Sequence, residues 1–564
     1  MRLTGSEILL KCLQAEGVHT VFGHPGGVIL HTYHVLLDYP IQHILCRHEQ
    51  TAIHAVEGFY KASGRTGTAM VTSGPGATNT ITGLTDALMD SMGIVVFTGQ
   101  VPTAVMGCDA FQEADVVGTT RTCTKHNFLA SKTEDLPRII KEAYYIARSG
   151  RPGPVLVDLP KDVIMGRAEF TGYPSGVSIR SYNPSVNGHP GQVRKAAELI
   201  ASARRPVIYG GGGIIHADAS PELTQLVNLT QIPTTLTLMG LGALATSHPL
   251  WLGMHGTYAA NMAMAHADLM IAIGARFDDR VTGKLSEFAK SCKIVHIDID
   301  PTSIRKNVHV DVPIVGDVKR VLTQLNAELA KCSRNWAADL EEWYGQIAEW
   351  QRAHPLRYDQ ARDGAILPQF AIDEIYKASE ALDPVVSTGV GQHQMWAAQY
   401  YPVTRPRGFL TSGGLGTMGY GFPAAIGAKF ACPDRTVVLI GGDGGFQMNI
   451  QELTTAVSNK IHVVIALFDN QALGMVRQWQ NLFHDQRYSS VDLKDNPDFV
   501  KVAEAFGGRG RDVHDPEEVT PALEQALAAR GGPFLLRFRL HNDENVFPIV
   551  PAGAGLDEAI GGGE

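Results

Sequence analysis

The stretch that decides the fold is Val437-Val-Leu-Ile-Gly-Gly-Asp-Gly-Gly445, followed by Asp469-Asn470 at the end of the apolar run Val463–Phe468. Short apolar runs that end in glycine turns predict buried parallel strands, because such strands are covered by helices on both faces. A helix over roughly Met448–Ser458 would join the two runs into a βαβ unit. The acidic residue and the amide then stand at the carboxyl ends of neighbouring strands, where α/β sheets bind ligands.

These residue types predict a metal-diphosphate site. Mg²⁺ prefers hard oxygen ligands shared with phosphate, and Asp443 and Asn470 supply them, with a nearby backbone carbonyl assigned to Ala472. Gly444 and Gly445 leave N–H groups open at a helix N-terminus, which favours a diphosphate. The competing interpretation is a plain strand-to-helix turn, and the amide at the next strand end argues against it.

The strand–glycine turn–helix pattern recurs along the chain. Further examples are Thr68–Val71, Ile94–Thr98 and Val207–Tyr209, each followed by a glycine-containing turn. The alternation breaks around 172–191, which is rich in Gly, Pro, Ser and Asn, and around 331–367. We therefore predict an α/β fold class with three doubly wound parallel-sheet domains, at about 1–175, 190–335 and 365–545, and a flexible glycine-rich tail over 552–564.

The second break carries Trp336, Trp343 and Trp350 at seven-residue spacing. That spacing predicts one packed face of a connecting helix.

Composition bounds the classes of function. A chain of 564 residues with a net charge of −9 and no dense basic run excludes a nucleic-acid footprint. The apolar runs are strand-length, which excludes a membrane span. Seven scattered cysteines without a C-x-x-C pair predict neither a disulfide framework nor a zinc site, and are typical of a reducing cytoplasm.

Beyond these patterns, the chain resembles the large catalytic subunits of the acetohydroxyacid (acetolactate) synthase family of thiamine-diphosphate enzymes. The resemblance runs from Met1 to Pro551. It is carried by Gly442–Asn470 and by the segments 47–50, 72–79, 97–102, 109–115, 150–154, 253–257, 274–280, 390–396, 411–418 and 474–480.

The resemblance implies a pyrimidine-binding first domain, an FAD-binding middle domain and a third domain that binds diphosphate and Mg²⁺. The thiamine diphosphate would lie between two subunits, so a homodimer or homotetramer is implied, and a small regulatory subunit is compatible with it. The implied reaction decarboxylates pyruvate and transfers the two-carbon unit to pyruvate or 2-ketobutyrate, giving 2-acetolactate or 2-aceto-2-hydroxybutyrate. This is the first common step of isoleucine, valine and leucine biosynthesis.

Site residues follow from the matched segments. Glu49 matches the carboxyl that bonds the pyrimidine ring, Gly416 the backbone carbonyl that holds its amino group, and Met418 the apolar wedge that bends the cofactor. The implied diphosphate-end contacts are Gln392, His393, Asp443, Gly444, Gly445, Asn470, Gly474 and Met475.

Arg276 and Trp479 resemble the residues that select the acceptor, since a guanidinium clamps a carboxylate and an indole covers an alkyl group. Phe111, Gln112 and Lys161 match residues of the reaction channel, with a structural role equally open. The implied contacts of a structural FAD are Arg151, His255, Gly256, Thr257, Arg276, Asp298 and Asp317.

Four positions depart from the family pattern. His24 stands for the usual Tyr, Thr51 for Gly, Cys108 for Thr and Asp469 for the first Asn of a pair. Alternatives are a pyruvate oxidase-type flavoenzyme, another thiamine-dependent carboligase or decarboxylase, and a catalytically silent subunit. The presence of Glu49, Asp443 and Asn470 argues against the last, and Glu49 against a carboligase that uses glyoxylate.

Overall fold

The computed structural model describes residues 1–360, 364–541 and 543–561. The last three residues of the predicted tail, 562–564, lie outside the described residues, as does Asn542 of the predicted third domain. The first and third sheets belong to one compact unit, and the middle sheet belongs to a second.

Each of three sheets has six strands flanked by helices, so the predicted α/β class is confirmed. In spatial order the first parallel sheet is Gln42–Leu45, Thr20–His24, Gly67–Val71, Ile94–Gln100, Val155–Pro160 and His126–Leu129. The middle sheet, also parallel, is Trp251–Met254, Thr234–Leu236, Pro206–Gly210, Leu269–Ile273, Lys293–Asp298 and Val312–Val315. The third is Phe409–Leu410, Val385–Thr388, Val437–Gly442, Val464–Asp469, Phe534–Arg539 and Arg509–Val513, with the strands after the edge strand running parallel. A small antiparallel pair joins Arg2–Thr4 to Arg167–Glu169.

Helices connect these strands. Those up to the middle sheet are Gly5–Ala15, Leu30–Leu36, Glu49–Ser63, Pro75–Thr78, Ile81–Met89, Val116–Thr120, Leu136–Arg148 and Lys161–Met165. Around the middle sheet they are Pro190–Ser202, Gly212–His216, Ser220–Thr230, Tyr258–His266, Asp279–Thr282, Val318–Leu329, Trp336–Asp339 and Glu341–Ala353. The remaining ones are Pro368–Ser379, Gln392–Tyr400, Gly421–Ala431, Asp443–Gln447, Leu453–Ser458, Gly474–Phe483, Phe499–Ala505 and Pro516–Ala528. Short 3₁₀ turns are Thr103–Val105, Thr133–Asp135, Leu238–Gly240, Glu380–Leu382, Ile450–Glu452 and Leu556–Glu558.

The first and third sheets are linked by two closely packed helices, Glu49–Ser63 and Gly421–Ala431. A Cβ built on Gly427 would lie 1.7 Å from the carbonyl oxygen of Ala55, and one built on Gly58 would lie 2.1 Å from that of Ala424. The two helix backbones therefore meet at glycines, and no larger residue fits at either position without moving them.

Two local expectations need correction. The single helix predicted over Met448–Ser458 is replaced by the 3₁₀ turn Ile450–Glu452 and the helix Leu453–Ser458, and a separate helix, Asp443–Gln447, precedes them. The break falls at Asn449, a poor helix former whose buried amide donates to the Gly419 carbonyl oxygen at 2.7 Å.

The three tryptophans occupy two helices that meet at Leu340 rather than one. Their packing role is confirmed, since Trp336 and Trp343 are buried and Trp350 stacks edge-on against Trp343.

In the described part of the tail, Leu556–Glu558 forms a 3₁₀ turn, and Leu556 is buried in the apolar cluster beside the middle sheet. The flexibility of the tail stays a prediction.

Within the described residues, every helix is too short or too polar to cross a bilayer. All seven cysteines lie in that part of the chain, and they are free thiols.

Gly427→Ala should destabilise the chain by about 1–3 kcal/mol, because the added methyl overpacks the helix pair. Gly345→Ala is the matched control. Gly345 also lies inside a helix, but a Cβ there meets no atom within 4 Å, and the change should stabilise by about 0.4–1 kcal/mol. Urea denaturation measures the free energy of unfolding of both variants, and equal changes in the two would contradict the prediction.

Candidate functional site

Two adjacent strands of the third sheet bring the predicted metal ligands to one edge. Val437–Gly442 and Val464–Asp469 pair in parallel, with Gly442 opposite Phe468. Asp443 and Asn470 follow directly at their carboxyl ends. The structure thus places the carboxylate and the amide as the sequence predicts; their roles as ligands stay a prediction.

Asp443 is a buried carboxylate with neutral donors. Its Oδ1 accepts the Gly444 N–H at 2.9 Å, and its Oδ2 accepts the Asn496 side-chain N–H at 2.7 Å. Burial, and then the neighbouring charge of Asp469, raise the pKa of Asp443 to about 7. A divalent cation would offset the unfavourable negative charge of these two buried carboxylates, so the arrangement fits Mg²⁺.

The negative charge of Asp469 is compensated by two arginine side chains. Its Oδ2 accepts the Arg537 Nε–H at 2.7 Å and an N–H of Arg539 at 2.9 Å. The carboxylate in place of the family's usual Asn is therefore half of a buried ion pair with two arginines of the neighbouring strand.

Amides surround the second strand end. The Asn470 Nδ2 lies 3.4 Å from Gln392 Oε1, and Asn470 Oδ1 accepts the Ala472 N–H at 3.2 Å. Gln392 also donates to Gln478 Oε1 at 2.9 Å. Gly474 begins the next helix, and a Cβ there would overlap Gln392 Oε1. These residues converge on one polar corner, with half-buried Met475 next in the helix.

His393 and Met418 lie beside the glycines at the end of the strand Val437–Gly442. Burial lowers the pKa of His393 to about 4, so its imidazole is neutral. Among the described residues, its buried Nε2 has no hydrogen-bond partner. Met418 Cε approaches Gly444, which lies beside buried Gly445. Gly416, two residues before Met418 in the chain, lies in the left-handed region at φ +71°.

Glu49 begins a helix in the first domain and is buried. Its Oε2 accepts the Asn79 side-chain N–H at 2.9 Å, and Gly76 lies beside Oε1. A neutral donor leaves the carboxyl able to share a proton with a ligand.

The departures at His24, Thr51 and Cys108 have different surroundings. His24 Nδ1 donates to the Cys46 carbonyl at 2.8 Å, and Cys108 is exposed. The Thr51 hydroxyl lies 2.6 Å from Glu452 Oε1, which also accepts the Arg47 N–H at 2.8 Å. Thr51 thus adds a hydrogen bond between the first and third domains that glycine could not make.

The predicted channel residues Phe111, Gln112 and Lys161 lie in the larger unit. Phe111 is 88% exposed, Gln112 has a positive φ of +59°, and Lys161 begins a helix. Trp479, predicted to select the acceptor, is 38% exposed on the helix Gly474–Phe483. Arg151, a predicted FAD contact, donates to Ser91 Oγ at 2.8 Å. The roles of all these side chains stay predictions.

The predicted FAD residues of the middle domain share one edge of their sheet. They follow the carboxyl ends of four strands: His255, Gly256 and Thr257 after Met254, Arg276 after Ile273, Asp298 at the end of Lys293–Asp298, and Asp317 after Val315. Open α/β sheets bind nucleotides at this edge.

Polar groups at this edge are also left for a ligand. His255 Nε2 is buried and has no hydrogen-bond partner in the part of the chain that the structure describes, and burial lowers the pKa of His255 to about 4. Arg276 lies 3.7 Å from Asp278, while Asp317 caps a helix through the Arg320 N–H. The arrangement fits a nucleotide cofactor.

Sequence reasoning missed Asn496, Gln478, Asn79 and Glu452 as members of the site's surroundings. Asn79 and Gln478 stand in matched segments without an assigned role, so the motif itself could have drawn attention to them. Asn496 and Glu452 carry no motif, and only the fold brings them to Asp443 and Thr51.

Comparison with known proteins covers all three domains. The family profiles described as thiamine pyrophosphate enzyme N-terminal TPP binding domain, central domain and C-terminal TPP binding domain match residues 3–119, 193–325 and 389–538.

Relatives match over nearly the whole chain. An acetolactate synthase of Mycobacterium bovis is 48% identical over 99% of this chain and 91% of its own length. The acetolactate synthase isozyme 3 large subunit of Escherichia coli is 44% identical over 99% and 98%. A probable acetolactate synthase large subunit of Methanocaldococcus jannaschii is 47% identical over 99% and 95%.

Asp469→Ala should destabilise the chain by about 3–5 kcal/mol, because it leaves the buried Arg537 without its closest counter-charge. The control is Asp492→Ala, which removes an exposed partner of Lys494 and should cost about 0–1 kcal/mol. Urea denaturation measures both, and a small loss for Asp469→Ala would show that the buried pair adds little.

Proposed function

The chain belongs to the acetolactate synthase large-subunit family of thiamine pyrophosphate enzymes, and we propose that it decarboxylates pyruvate and transfers the two-carbon unit to a second 2-keto acid. The acceptors are pyruvate, giving 2-acetolactate, and 2-ketobutyrate, giving 2-aceto-2-hydroxybutyrate. This reaction opens the synthesis of valine, leucine and isoleucine. The observation that carries the proposal is the pair Asp443 and Asn470 at neighbouring strand ends.

The cofactors are thiamine diphosphate, Mg²⁺ and FAD. Asp443, Asn470 and the Ala472 carbonyl would hold the metal, and the amides of Gln392 and the N–H groups of Gly444 and Gly445 would meet the diphosphate. Bound thiamine diphosphate supplies the electron sink that decarboxylation of a 2-keto acid requires.

Glu49 would hold a proton against the ring nitrogen of the aminopyrimidine, and the bound cofactor would itself supply the internal base. The burial of Glu49 and its neutral partner, Asn79, suit this proton sharing. The Gly416 carbonyl would accept from the pyrimidine amino group, and Met418 would pack against the cofactor.

Arg276 and Trp479 select the acceptor, through its carboxylate and its alkyl group respectively. Phe111, Gln112 and Lys161 line the path of the substrates. The active enzyme is at least a homodimer, because in this family the two ends of the cofactor meet different subunits, and a small regulatory subunit joins the large one.

FAD at the edge of the middle sheet has a structural role, since carboligation transfers no electrons to it. A pyruvate oxidase-type flavoenzyme shares fold and cofactors, and it differs by reducing its flavin. Bleaching of the bound FAD by pyruvate alone, at the rate of turnover, would favour that second candidate.

Glu49→Gln should abolish carboligation while thiamine diphosphate affinity stays within about tenfold, or ~1.4 kcal/mol. The amide keeps the shape of the side chain but cannot hold the shared proton. Purified protein is given pyruvate, 2-ketobutyrate, thiamine diphosphate, Mg²⁺ and FAD, and the products are identified.

The control for this assay is Glu517→Gln, which changes an exposed carboxylate in the first turn of another helix and should leave activity intact. Wild-type protein that forms neither product refutes the proposed function, and an active Glu49→Gln removes Glu49 from the mechanism.

Trp479→Leu should lower the preference for 2-ketobutyrate over pyruvate as acceptor, because the indole packs on the additional methyl group. Burial of one such group is worth about 0.8 kcal/mol, or roughly a fourfold change in product ratio. Competition assays with both acceptors measure it. Trp350→Leu, in the connecting helix, is the control, and an unchanged ratio in Trp479→Leu rejects the role.

A further inference from the structure

A buried group of ionisable side chains lies away from the metal-diphosphate corner, in the larger unit. We call it the ionic cluster; it comprises His54, Glu57, Lys61, Asp86 and Asp90, all at most 8% exposed. Its members stand on or just after the helices Glu49–Ser63 and Ile81–Met89 of the first domain. None of them is used in the mechanism above.

The ionic cluster forms hydrogen bonds with the loop 411–418 of the third domain. Lys61 Nζ donates to Asp90 Oδ2 at 2.8 Å and to the Thr411 carbonyl oxygen. The two oxygens of Asp90 accept the N–H groups of Gly413 at 3.1 Å and Gly414 at 2.7 Å. One ion pair thus binds three backbone groups of the loop, the carbonyl of Thr411 and the N–H groups of Gly413 and Gly414.

A second anchor is formed by Asp86. Its Oδ1 accepts the Ser412 hydroxyl proton at 2.7 Å, and Ser412 Oγ in turn accepts the Thr417 N–H at 2.9 Å. The loop is therefore held from Thr411 to Thr417. Gly416 lies inside this span and Met418 directly follows it.

The loop needs such anchors because of its composition. Thr411-Ser-Gly-Gly-Leu-Gly-Thr-Met418 contains three glycines, which leave the free backbone many conformations. N–H groups that lose water on folding without gaining a partner would also be costly. Asp90 accepts two partly buried N–H groups of this loop, those of Gly413 and Gly414.

The charges of the cluster suit a fixed anchor rather than a cation site. Three ligand atoms of His54, Glu57 and Asp86 lie within 4.8 Å of one another. However, Lys61 already supplies a positive charge to the cluster. Burial lowers the pKa of Lys61, but the negative charges of Asp90 and its neighbours raise it by more, so the net effect is a raised pKa. Burial and the charge of Glu57 also raise the pKa of Asp86 to about 8, so a proton offsets part of the negative charge of the cluster.

We propose that Lys61, Asp86 and Asp90 are positioning residues that fix the loop 411–418, and with it the Gly416 carbonyl and the Met418 side chain, against the pyrimidine of thiamine diphosphate. The inference rests on the proposed function, because it takes the cofactor contacts of Gly416 and Met418 from there. It adds that helices of the first domain set the geometry of a cofactor loop in the third domain of the same chain.

Lys61→Met tests this proposal in the full holoenzyme. The measurement is the rate at which the C2 proton of bound thiamine diphosphate exchanges with deuterium, at saturating cofactor and Mg²⁺. We expect exchange to slow about tenfold to a hundredfold, since displacement of a reacting group by about 1 Å can cost about a hundredfold. Lys61→Arg keeps a charged donor and should restore most of the rate.

Two more variants separate positioning from general stability. Ser412→Ala removes a single oxygen from the Asp86 anchor, so it should fold and still slow exchange. Lys141→Met is the matched control, because Lys141 likewise pairs with a carboxylate, Glu16, and lies 4.7 Å above a tyrosine ring, as Lys61 does. Lys141 contacts no part of the loop in these interactions, and its loss should leave exchange unchanged.

The outcomes decide separately between the two proposals. Wild-type exchange rates in folded Lys61→Met and Ser412→Ala, with a lower unfolding midpoint alone, overturn the positioning role and leave the proposed function intact. Wild-type protein that neither binds thiamine diphosphate nor forms an acetohydroxy acid overturns the proposed function, and the positioning role with it. Slow exchange in Lys141→Met would also overturn the positioning role, because the loss of any ion pair would then be enough to slow exchange.

Discussion

The cost of burying carboxylates at strand ends governs the structure of the third domain. Asp443 and Asp469 end adjacent strands, and both are buried. An isolated buried charge is very unfavourable unless it is paired. The chain supplies Arg537 and Arg539 to Asp469, but gives Asp443 only neutral N–H donors. Asp443 is therefore the carboxylate whose charge the chain leaves uncompensated, and it is the one to which the proposed Mg²⁺ would bind.

A second constraint is the close approach of the helices Glu49–Ser63 and Gly421–Ala431. Glycines at their crossing let the backbones touch, which joins the first and third sheets in one compact unit. The helix that begins with Glu49 continues through Thr51 and three members of the ionic cluster, His54, Glu57 and Lys61. One helix therefore carries a proposed catalytic carboxyl at its start, a hydrogen bond to Glu452 two residues later, and the Lys61 anchor near its end. Cofactor chemistry and domain packing share the same element.

In the middle sheet, as in the third, the predicted ligand-binding residues lie at the carboxyl ends of the strands. Its predicted FAD residues come from segments up to 60 residues apart, yet four strand ends bring them to one edge. Among the described residues, His255 Nε2 has no hydrogen-bond partner, which marks where a ligand atom is expected. A flavin at this edge would, under the proposed function, have a structural role, and this would separate the proposed synthase from an oxidase of the same fold.

The sequence by itself determined the α/β class, the strand ends that carry Asp443 and Asn470, and the family, because buried parallel strands are continuous apolar runs and their turns need glycine. It could not place the break at Asn449 or the two helices of the tryptophan segment, since both depend on which buried partners a side chain finds. Only the tertiary structure decided that Asn496 contacts Asp443, that Glu452 meets Thr51, and that Lys61 and Asp90 hold the loop 411–418. These contacts join residues from 53 to 401 positions apart, and no local pattern encodes a pairing that exists only when sheets and helices have packed.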